Sequence, residues 1–284
     1  MRWTRTNPWI GLSPDGPLTQ LPFETLWAGK QLLLEVIEVS YVQSLQEHAE
    51  LIRRAKAPRA QGNQLLSIAN PDYGAGPAAS QPVPDWMASL RWQPLDGTRV
   101  EAEALRPLFP KVRQLTGADA THKQVLTLQT SSALQDFRVI HFATHGYVNG
   151  QRSALVLSTR EGLQQAYLLD ADISGLQLRS DLVLLSACDT GLGRRQTGEG
   201  VVGLPYAFML AGNINTLMSL WPVDDSGTAA FIPAFMTKAR TGMNVVAALN
   251  AAKRDFAAGL HGARNRDPRI WAAFVQYGVP LTLQ

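Results

Sequence analysis

The sequence predicts an α/β fold, a doubly wound and mainly parallel sheet with helices on both faces. Residues 181–187 (D-L-V-L-L-S-A) are predicted as a strand that is apolar on both faces, and such strands are typical of the middle of a parallel sheet. From residue 137 onward predicted strands alternate with predicted helices. This alternation indicates parallel strands connected by helices that cover the sheet.

The first half of the chain has the weaker pattern. Residues 31–39 are predicted as a strand and residues 41–56 as a helix, and residues 64–69 form a short apolar run that is typical of a buried strand. Seven prolines and glycines between residues 70 and 94 indicate a long surface loop. Thr98, with Glu101 three residues later, matches a capping box and predicts a helix over residues 98–109.

The second half has a sharper pattern of elements. The predicted strands cover residues 137–142, 154–158, 181–187, 214–220 and 271–277, and the predicted helices cover residues 200–210, 226–240 and 244–258. In the last helix Val245, Leu249, Ala252 and Phe256 fall on one apolar face.

Composition limits the classes of function. With 284 residues, of which 45% are hydrophobic, the chain can bury the core of one large domain or two small ones. The net charge is only +3 and no basic stripe is interleaved with aromatics, so nucleic acid is not an implied partner. No segment has the apolar length of a membrane span or a signal peptide, which argues against a membrane partner. The single cysteine excludes a disulfide within the chain and indicates a reducing, cytoplasmic location.

Reactive side chains follow two of the predicted strands. Residues 139–144 lead into His145 and Gly146, and residues 182–187 lead into Cys188. If these strands are neighbours, the thiol and the imidazole meet at the edge of the sheet where ligands bind, and the histidine activates the thiol. The backbone N–H groups of Gly146 and Cys188 would then form an oxyanion hole. Taken singly, however, each residue is more often structural, the cysteine as a small core hydrophobe and the histidine as a hydrogen-bonded polar group.

A metal site is the other chemistry that the histidines suggest. His141 and His145 are four residues apart, but Phe142 stands where a zinc-binding H-E-x-x-H helix has glutamate. On a strand four residues span about 13 Å, too far for a shared ligand. We therefore predict no metal and no other cofactor, with His141 as a core histidine beneath the site.

Five motifs in order carry a resemblance to a known family. They are V-I-H-F-A-T-H-G (139–146), D-L-V-L-L-S-A-C-D-T-G (181–191), G-E-G-V-V-G-L (198–204), S-L-W-P-V-D-D (219–225) and W-A-A-F-V-Q-Y-G (271–278). The sequence resembles the CHAT family, caspase-like peptidase domains that are often joined to tetratricopeptide repeats. The resemblance implies a caspase–hemoglobinase fold and a cysteine–histidine dyad, with His145 as base, Cys188 as nucleophile, and Gly146 with Cys188 as oxyanion donors.

The resemblance also implies an organisation for the chain. Residues 1–94 would be the N-terminal part of the domain, ending in the Pro/Gly-rich loop, and residues 95–284 would be its catalytic core. Because this sequence contains no repeats, we expect a tetratricopeptide-repeat or other sensor partner to regulate it. A strand is expected ahead of Gly11, so the sequence reads either as a fragment or as a chain that has lost that strand.

Acidic residues near the proposed nucleophile bear on specificity. Asp189 follows Cys188 directly, and Asp224 and Asp225 follow the next predicted strand, where caspase-like folds wall the first subsite. Carboxylates in a partly dry pocket favour Arg or Lys before the cut. Capping of the following helix explains Asp224 and Asp225 equally well.

The function predicted from these features is a cysteine endopeptidase, a thiol protease that cleaves a partner protein. Two alternatives stay open. One is a catalytically silent interaction module that uses the same fold as a scaffold. The other is a cysteine hydrolase acting on small amides, although the sequence has no G-x-S-x-G-like elbow to support it.

Overall fold

The computed structural model describes residues 8–57, 64–74, 84–88, 90–149, 152–186 and 199–283. The strands in these ranges are β1 (Trp9–Leu12), β2 (Trp27–Ala28), β3 (Gln31–Leu32), β4 (Glu38–Tyr41), β5 (Gln64–Pro71), β6 (Lys111–Gly117), β7 (Phe137–Ala143), β8 (His145–Asn149), β9 (Arg152–Val156), β10 (Tyr167–Leu169), β11 (Leu182–Leu185), β12 (Asn215–Ser219) and β13 (Phe274–Tyr277). The α-helices are α1 (Leu33–Val36), α2 (Leu45–Ala55), α3 (Asp85–Ala88), α4 (Asp96–Leu105), α5 (His122–Thr130), α6 (Asp170–Ser174), α7 (Glu199–Leu210), α8 (Asp225–Arg240), α9 (Val245–Ala257) and α10 (Pro268–Trp271). Short 3₁₀ helices cover Gly16–Gln20, Phe23–Thr25, Arg106–Leu108, Ala133–Asp136, Thr159–Glu161, Leu163–Ala166 and Ala263–Arg266.

A central sheet of eight strands organises the molecule, in the order β1-β4-β13-β12-β11-β7-β5-β6. Each neighbouring pair is parallel except β12 and β13, so β13, β4 and β1 run opposite to the other five strands. The prediction of a mainly parallel sheet is confirmed. Strands from both sides of residue 94 belong to this one sheet.

Apolar layers cover both faces of the sheet. On one face Ile140 and Phe142 of β7 belong to a core cluster with Phe208 of α7. On the other face Val139 belongs to a second cluster with Phe235 of α8 and Leu249 of α9. All four residues of β11 are buried, which confirms that this strand is apolar on both faces. The predicted doubly wound arrangement follows, because alternate residues of one strand need partners on opposite sides.

The prediction of one strand over residues 31–39 is wrong. Helix α1 interrupts it, and the backbone N–H of Leu32 at the start of this helix donates to Glu35 Oε2 at 3.1 Å. The helix predicted from residue 41 begins only at Leu45, because Tyr41 still belongs to β4. Ser44 caps α2, with its side chain accepting from the backbone N–H of Glu47.

The capping-box interpretation of Thr98 and Glu101 is also wrong. Helix α4 begins at Asp96, so Thr98 lies inside it, where its hydroxyl donates to the carbonyl of Leu95 at 2.6 Å and accepts from the N–H of Asn70 at 3.0 Å. Helix α4 ends at Leu105, and strand β6 follows where the sequence analysis placed no element. The other strands and helices predicted between residues 64 and 258 begin and end within two residues of the observed elements.

The C-terminal element begins later than predicted. Residues 268–271 form α10, whose preceding residue Asp267 accepts from the N–H of Arg269, and β13 starts only at Phe274. Gly278 follows β13 with φ +140°, and a Cβ at this position would lie 2.1 Å from Asn215 Oδ1. A larger residue would therefore clash with the neighbouring chain as well as strain its own backbone.

A smaller antiparallel sheet of three strands, in the order β10-β9-β8, stands beside the main one. It begins at His145 and carries the buried aromatic rings of Tyr147 and Tyr167. Among the helices of the described ranges, none has both the length and the apolar composition needed to cross a bilayer.

Candidate active site

The two strands that lead to the predicted dyad are parallel neighbours. His141 of β7 pairs in register with Leu184 of β11, and the N–H of Ser186 donates to the carbonyl of Phe142 at 2.9 Å. His145 follows β7 after a single intervening residue and begins β8. Cys188 and Asp189 fall within residues 187–198, outside the residues that the structure describes.

Two aromatic rings fix the side chain of His145. Its ring centroid lies 5.0 Å from that of Tyr73 and 5.0 Å from that of Trp92. The backbone N–H of His145 also donates to Tyr73 Oη at 3.2 Å, and Tyr73 Oη donates in turn to the carbonyl of Val156 at 3.0 Å. With 1% of its surface exposed, the imidazole has little freedom to rotate.

A backbone carbonyl selects the tautomer of His145. Nε2 lies 2.7 Å from the carbonyl oxygen of Gln93. Because a carbonyl can only accept, Nε2 carries the hydrogen and donates it. In the neutral ring Nδ1 is then the basic nitrogen, so the nitrogen that takes up a proton is defined by the fold.

The segment that supplies Gln93 is held by aromatic contacts to the small sheet. Trp92 Nε1 donates to Tyr167 Oη at 3.1 Å, and Trp86 stacks on Tyr147 with 4.8 Å between ring centroids. From sequence this segment is predicted to be a surface loop, and neither Trp92 nor Gln93 is predicted to lie at the site. Three large aromatics within a Pro/Gly-rich stretch, Tyr73, Trp86 and Trp92, were the signal for a packed segment.

A buried polar network lies beneath the site. Glu101 Oε1 accepts from His141 Nε2 at 2.7 Å and from the Ser186 hydroxyl at 2.5 Å, and His141 Nδ1 lies 3.0 Å from the hydroxyl of Ser67. His141 is fully buried, at the position that the sequence analysis gave to a core histidine. In the part of the chain that the structure describes, no group of three or more His, Cys, Asp or Glu side chains could hold a metal ion.

A cavity of about 260 Å³ opens beside His145. It lies between the N-terminal ends of α4 and α8, which approach closely because Gly97 has no side chain: a Cβ there would lie 2.5 Å from Asp225 Cβ. The lining residues are Leu95, Gly97, Thr98, Glu101, Thr144, His145, Ser186, Pro222, Val223, Asp224, Asp225 and Thr228. The structure therefore brings together His145, Asp224 and Asp225 among the predicted site residues, while Gly146 is buried next to His145 in β8.

Asp224 has a clear structural role in this wall. It is the N-cap of α8, and its Oδ1 accepts from the N–H of Gly227 at 3.0 Å and from the Ser226 hydroxyl at 2.5 Å. Arg264 Nη2 lies 3.3 Å from the same oxygen. The hydrogen bond from Ser226 is the main cause that holds the pKa of Asp224 below its ordinary value.

Loss of this cap should be measurable as a loss of stability. We expect Asp224→Ala to lower the free energy of unfolding by about 1 kcal/mol and Asp224→Asn, which keeps an accepting oxygen, to lower it by less. Because the folded-state pKa is depressed, the carboxylate stabilises the protein above the ordinary aspartate pKa of about 4, and this stabilisation is lost as the pH falls through the lower folded-state pKa. Urea unfolding at neutral and acidic pH checks both statements; an Asp224→Ala protein as stable as the wild type would contradict them.

Comparison with known proteins places the chain in a family. The family model of the CHAT domain matches residues 4–279. Tetratricopeptide repeat protein 28 of Mus musculus is 27% identical and that of Homo sapiens 26% identical, each aligned to 95% of this chain. The chain spans only 12% of the length of these relatives.

Two solved structures share the fold at low sequence identity. The separase of the Saccharomyces cerevisiae separase–securin complex superposes with a TM-score of 0.56 at 16% identity, over 93% of this chain and 15% of that one. The complex of Porphyromonas gingivalis RgpB pro- and mature domains gives 0.50 at 11% identity, over 87% of this chain and 56% of that one. The fold is that of caspase-like cysteine peptidases, and the family match over almost the entire length shows that the chain belongs to the CHAT-domain family.

Proposed function

We propose that this chain is a cysteine endopeptidase in which His145 is the general base and Cys188 the nucleophile. The observation that carries the proposal is the hydrogen bond from His145 Nε2 to the carbonyl of Gln93, because it leaves Nδ1 as the proton acceptor. A general base needs such a defined tautomer, because the nitrogen that accepts the proton must face the nucleophile.

The register of the sheet supports Cys188 as the partner of His145. His141 and Leu184 are paired, and His145 and Cys188 each lie four residues beyond those positions in the sequence. The two strands are parallel, so both chain segments leave the sheet at the same edge. At that edge His145 would be close enough to Cys188 to activate its thiol.

The proposed chemistry is acyl transfer through the thiol. Nδ1 of His145 takes the proton of Cys188, and the sulfur attacks the carbonyl carbon of the scissile peptide. As the C–N bond breaks, the imidazolium gives its proton to the leaving amine, and water then hydrolyses the thioester. The N–H groups of Gly146 and Cys188 would stabilise the oxyanion that forms in both steps.

Acidic residues remain the candidates for the first subsite. The carboxylate of Asp224 already caps the N-terminus of α8 and pairs with Arg264. Of the two described aspartates, Asp225 is therefore the better candidate to bind a cationic substrate side chain. Asp189 stays a candidate from its place in the sequence, next to the proposed nucleophile. Together they support a preference for Arg or Lys before the cut.

Regulation by a partner protein is part of the proposal. The relatives of this chain are tetratricopeptide repeat proteins, and the separase of similar fold is seen in complex with securin. Since the chain spans 12% of those relatives, we propose that repeats, on this or another chain, recruit or control the peptidase.

One observation favours the alternative of a silent scaffold. His145 is covered on two sides by Tyr73 and Trp92 and is only 1% exposed. Such burial would suit a histidine that only supports the fold, although catalytic contacts in ligand-free enzymes often tighten only when substrate binds.

Digestion of an unstructured peptide library distinguishes these functions. We expect internal cuts in peptides, and we expect iodoacetamide to suppress them because the only cysteine of the chain is the proposed nucleophile. Mass spectrometry of new peptide termini measures the result. Binding of peptides without cleavage, both with and without a repeat partner, would favour the silent scaffold. Release of ammonia from small amides, with no cleavage of peptides, would favour a cysteine hydrolase that acts on small amides.

A further inference from the structure

Glu101 is a buried acidic residue that lines the cavity beside His145 and has one carboxylate oxygen that accepts no hydrogen bond from the described residues. It is only 1% exposed, and yet its side chain forms part of the cavity wall. Within the described ranges both of its hydrogen bonds are accepted by Oε1, from His141 and from Ser186, and none by Oε2. A buried carboxylate with an oxygen left to accept is costly unless a donor reaches it.

The charge of His141 decides whether Glu101 is already neutralised. A neutral His141 satisfies both of its contacts, since Nε2–H donates to Glu101 and the hydroxyl of Ser67 can donate to Nδ1. No second proton on the ring is required. With His141 neutral, both groups that donate to Glu101 Oε1 are uncharged, so a carboxylate at this position has no cation among its hydrogen-bond partners in the described ranges.

With carboxylates at both Glu101 and Asp225, the cavity has more negative than positive charge in its wall. The N-terminal ends of α4 and α8 contribute about half a positive charge each, which together match one carboxylate. Glu101 and Asp225 supply two carboxylates to the same wall, and Asp224 is already engaged by its cap and by Arg264. The helix ends alone would favour an anion, but the carboxylates outweigh them.

We infer that this cavity binds the cationic side chain of a Lys or Arg residue that precedes the cut, and that Glu101 is the residue that determines this specificity. The inference rests on the proposed peptidase function. A guanidinium fits it well, because its planar fork of donors can satisfy Glu101 Oε2 at depth while other donors reach Asp225 nearer the helix end. Thr98 and Thr144 line the same cavity.

Matched peptides that differ in one charge test this assignment. Citrulline has the shape of arginine without its charge, so the ratio of kcat/KM for Arg to that for citrulline measures recognition of the cation. We expect the wild type to prefer Arg and Glu101→Gln to reduce the ratio by about tenfold or more, since the amide keeps the shape and an acceptor but not the charge. Glu103→Gln is the control, because Glu103 lies on the same helix but is 61% exposed and paired with Arg99.

A structural role for Glu101 gives a different pattern. If Glu101 only supports His141 and Ser186, Glu101→Gln lowers cleavage of both peptides equally and leaves the ratio unchanged, which overturns the assignment. Equal kcat/KM of the wild type for the citrulline peptide and the Arg peptide also overturns the assignment. Should Glu101→Gln fail to fold, the wild-type ratio and its reduction in Asp225→Asn still decide whether the cavity selects a cation.

Binding separates this inference from the proposed function. We expect Cys188→Ala protein to bind benzamidine more tightly than the uncharged benzamide, and the added Glu101→Gln change to remove the difference, as measured by calorimetry. If no peptide is cleaved but this difference is seen, the peptidase proposal fails and the cation site stands. Equal binding of the two probes overturns the cation site, whatever the peptidase activity.

Discussion

Replacement of Cys188 by alanine is expected to reduce peptide cleavage by at least about 10³-fold, and His145→Ala by at least about 10²-fold, without loss of the fold. The sulfur is the atom that would form the covalent intermediate, and Nδ1 of His145 would supply and receive the proton. Because the two groups act as a unit, the double variant should be little worse than Cys188→Ala alone. Initial rates on a peptide identified from the library, with circular dichroism as the check on folding, measure these effects.

Alkylation of the thiol gives a second measure that does not depend on substrate. We expect iodoacetamide to modify Cys188 faster in the wild type than in His145→Ala at neutral pH, because the histidine raises the fraction of thiolate. His122→Ala is the matched control, since His122 lies in α5, away from the cavity lining. Cleavage that persists at the wild-type rate in Cys188→Ala would show that the nucleophile is another group.

The central strands could be predicted from sequence because a strand that is buried on both faces has apolar residues at consecutive positions. Leu182–Leu185 is apolar at every position, as expected of a strand that is buried on both faces. Residues 31–39 carry a similar apolar run, but there the contact between Glu35 and the backbone of Leu32 starts a helix. Local hydrogen bonds of this kind outweigh propensity in short segments, and apolar periodicity does not reveal them.

Glu101 shows how a correct local rule can give a wrong result. Its spacing from Thr98 matches a capping box, but α4 begins two residues before Thr98. The carboxylate contacts His141 of β7 and Ser186, which directly follows the neighbouring strand β11. These partners lie 40 and 85 residues away in sequence. A tertiary contact over such a separation has no signature in a single sequence.

Some residues of the candidate site could be predicted from the sequence and others could not. His145 could be singled out because a reactive side chain follows a buried strand. Gln93 could not, because it contributes its backbone carbonyl and its side chain carries no information about that contact. Trp92 lay between these cases: an aromatic ring in a loop signals burial but does not say that it packs on the histidine.

A buried ion pair ties the N-terminal segment to α9 and should dominate the stability of that contact. Lys253 Nζ lies 2.5 Å from Glu24 Oε1, and Tyr41 Oη donates to Glu24 Oε2 at 2.6 Å. Lys253 is 0% exposed and Glu24 is 1% exposed. Burial is the main cause that raises the pKa of the Tyr41 hydroxyl, and the charge of Glu24 acts in the same direction, so the hydroxyl remains a donor.

We expect Lys253→Met to lower the free energy of unfolding by about 3–5 kcal/mol, because Glu24 is then left as a buried charge without its cation. Methionine fills similar volume, so a cavity contributes little to the loss. Urea unfolding followed by circular dichroism gives the change from the shift in midpoint, provided that the dependence on urea stays the same.

The control separates burial of charge from loss of packing. Lys238→Met removes a similar ion pair, Lys238 with Asp255, whose side chains are 25% and 29% exposed, and it should cost about 1 kcal/mol or less. Lys253→Met combined with Glu24→Gln should recover much of the loss, since the remaining amide is neutral and can still accept from Tyr41. A double variant as unstable as the sum of the two single variants would show that the pair does not act through its charges, and that packing of α9 against the N-terminal segment explains the effect instead.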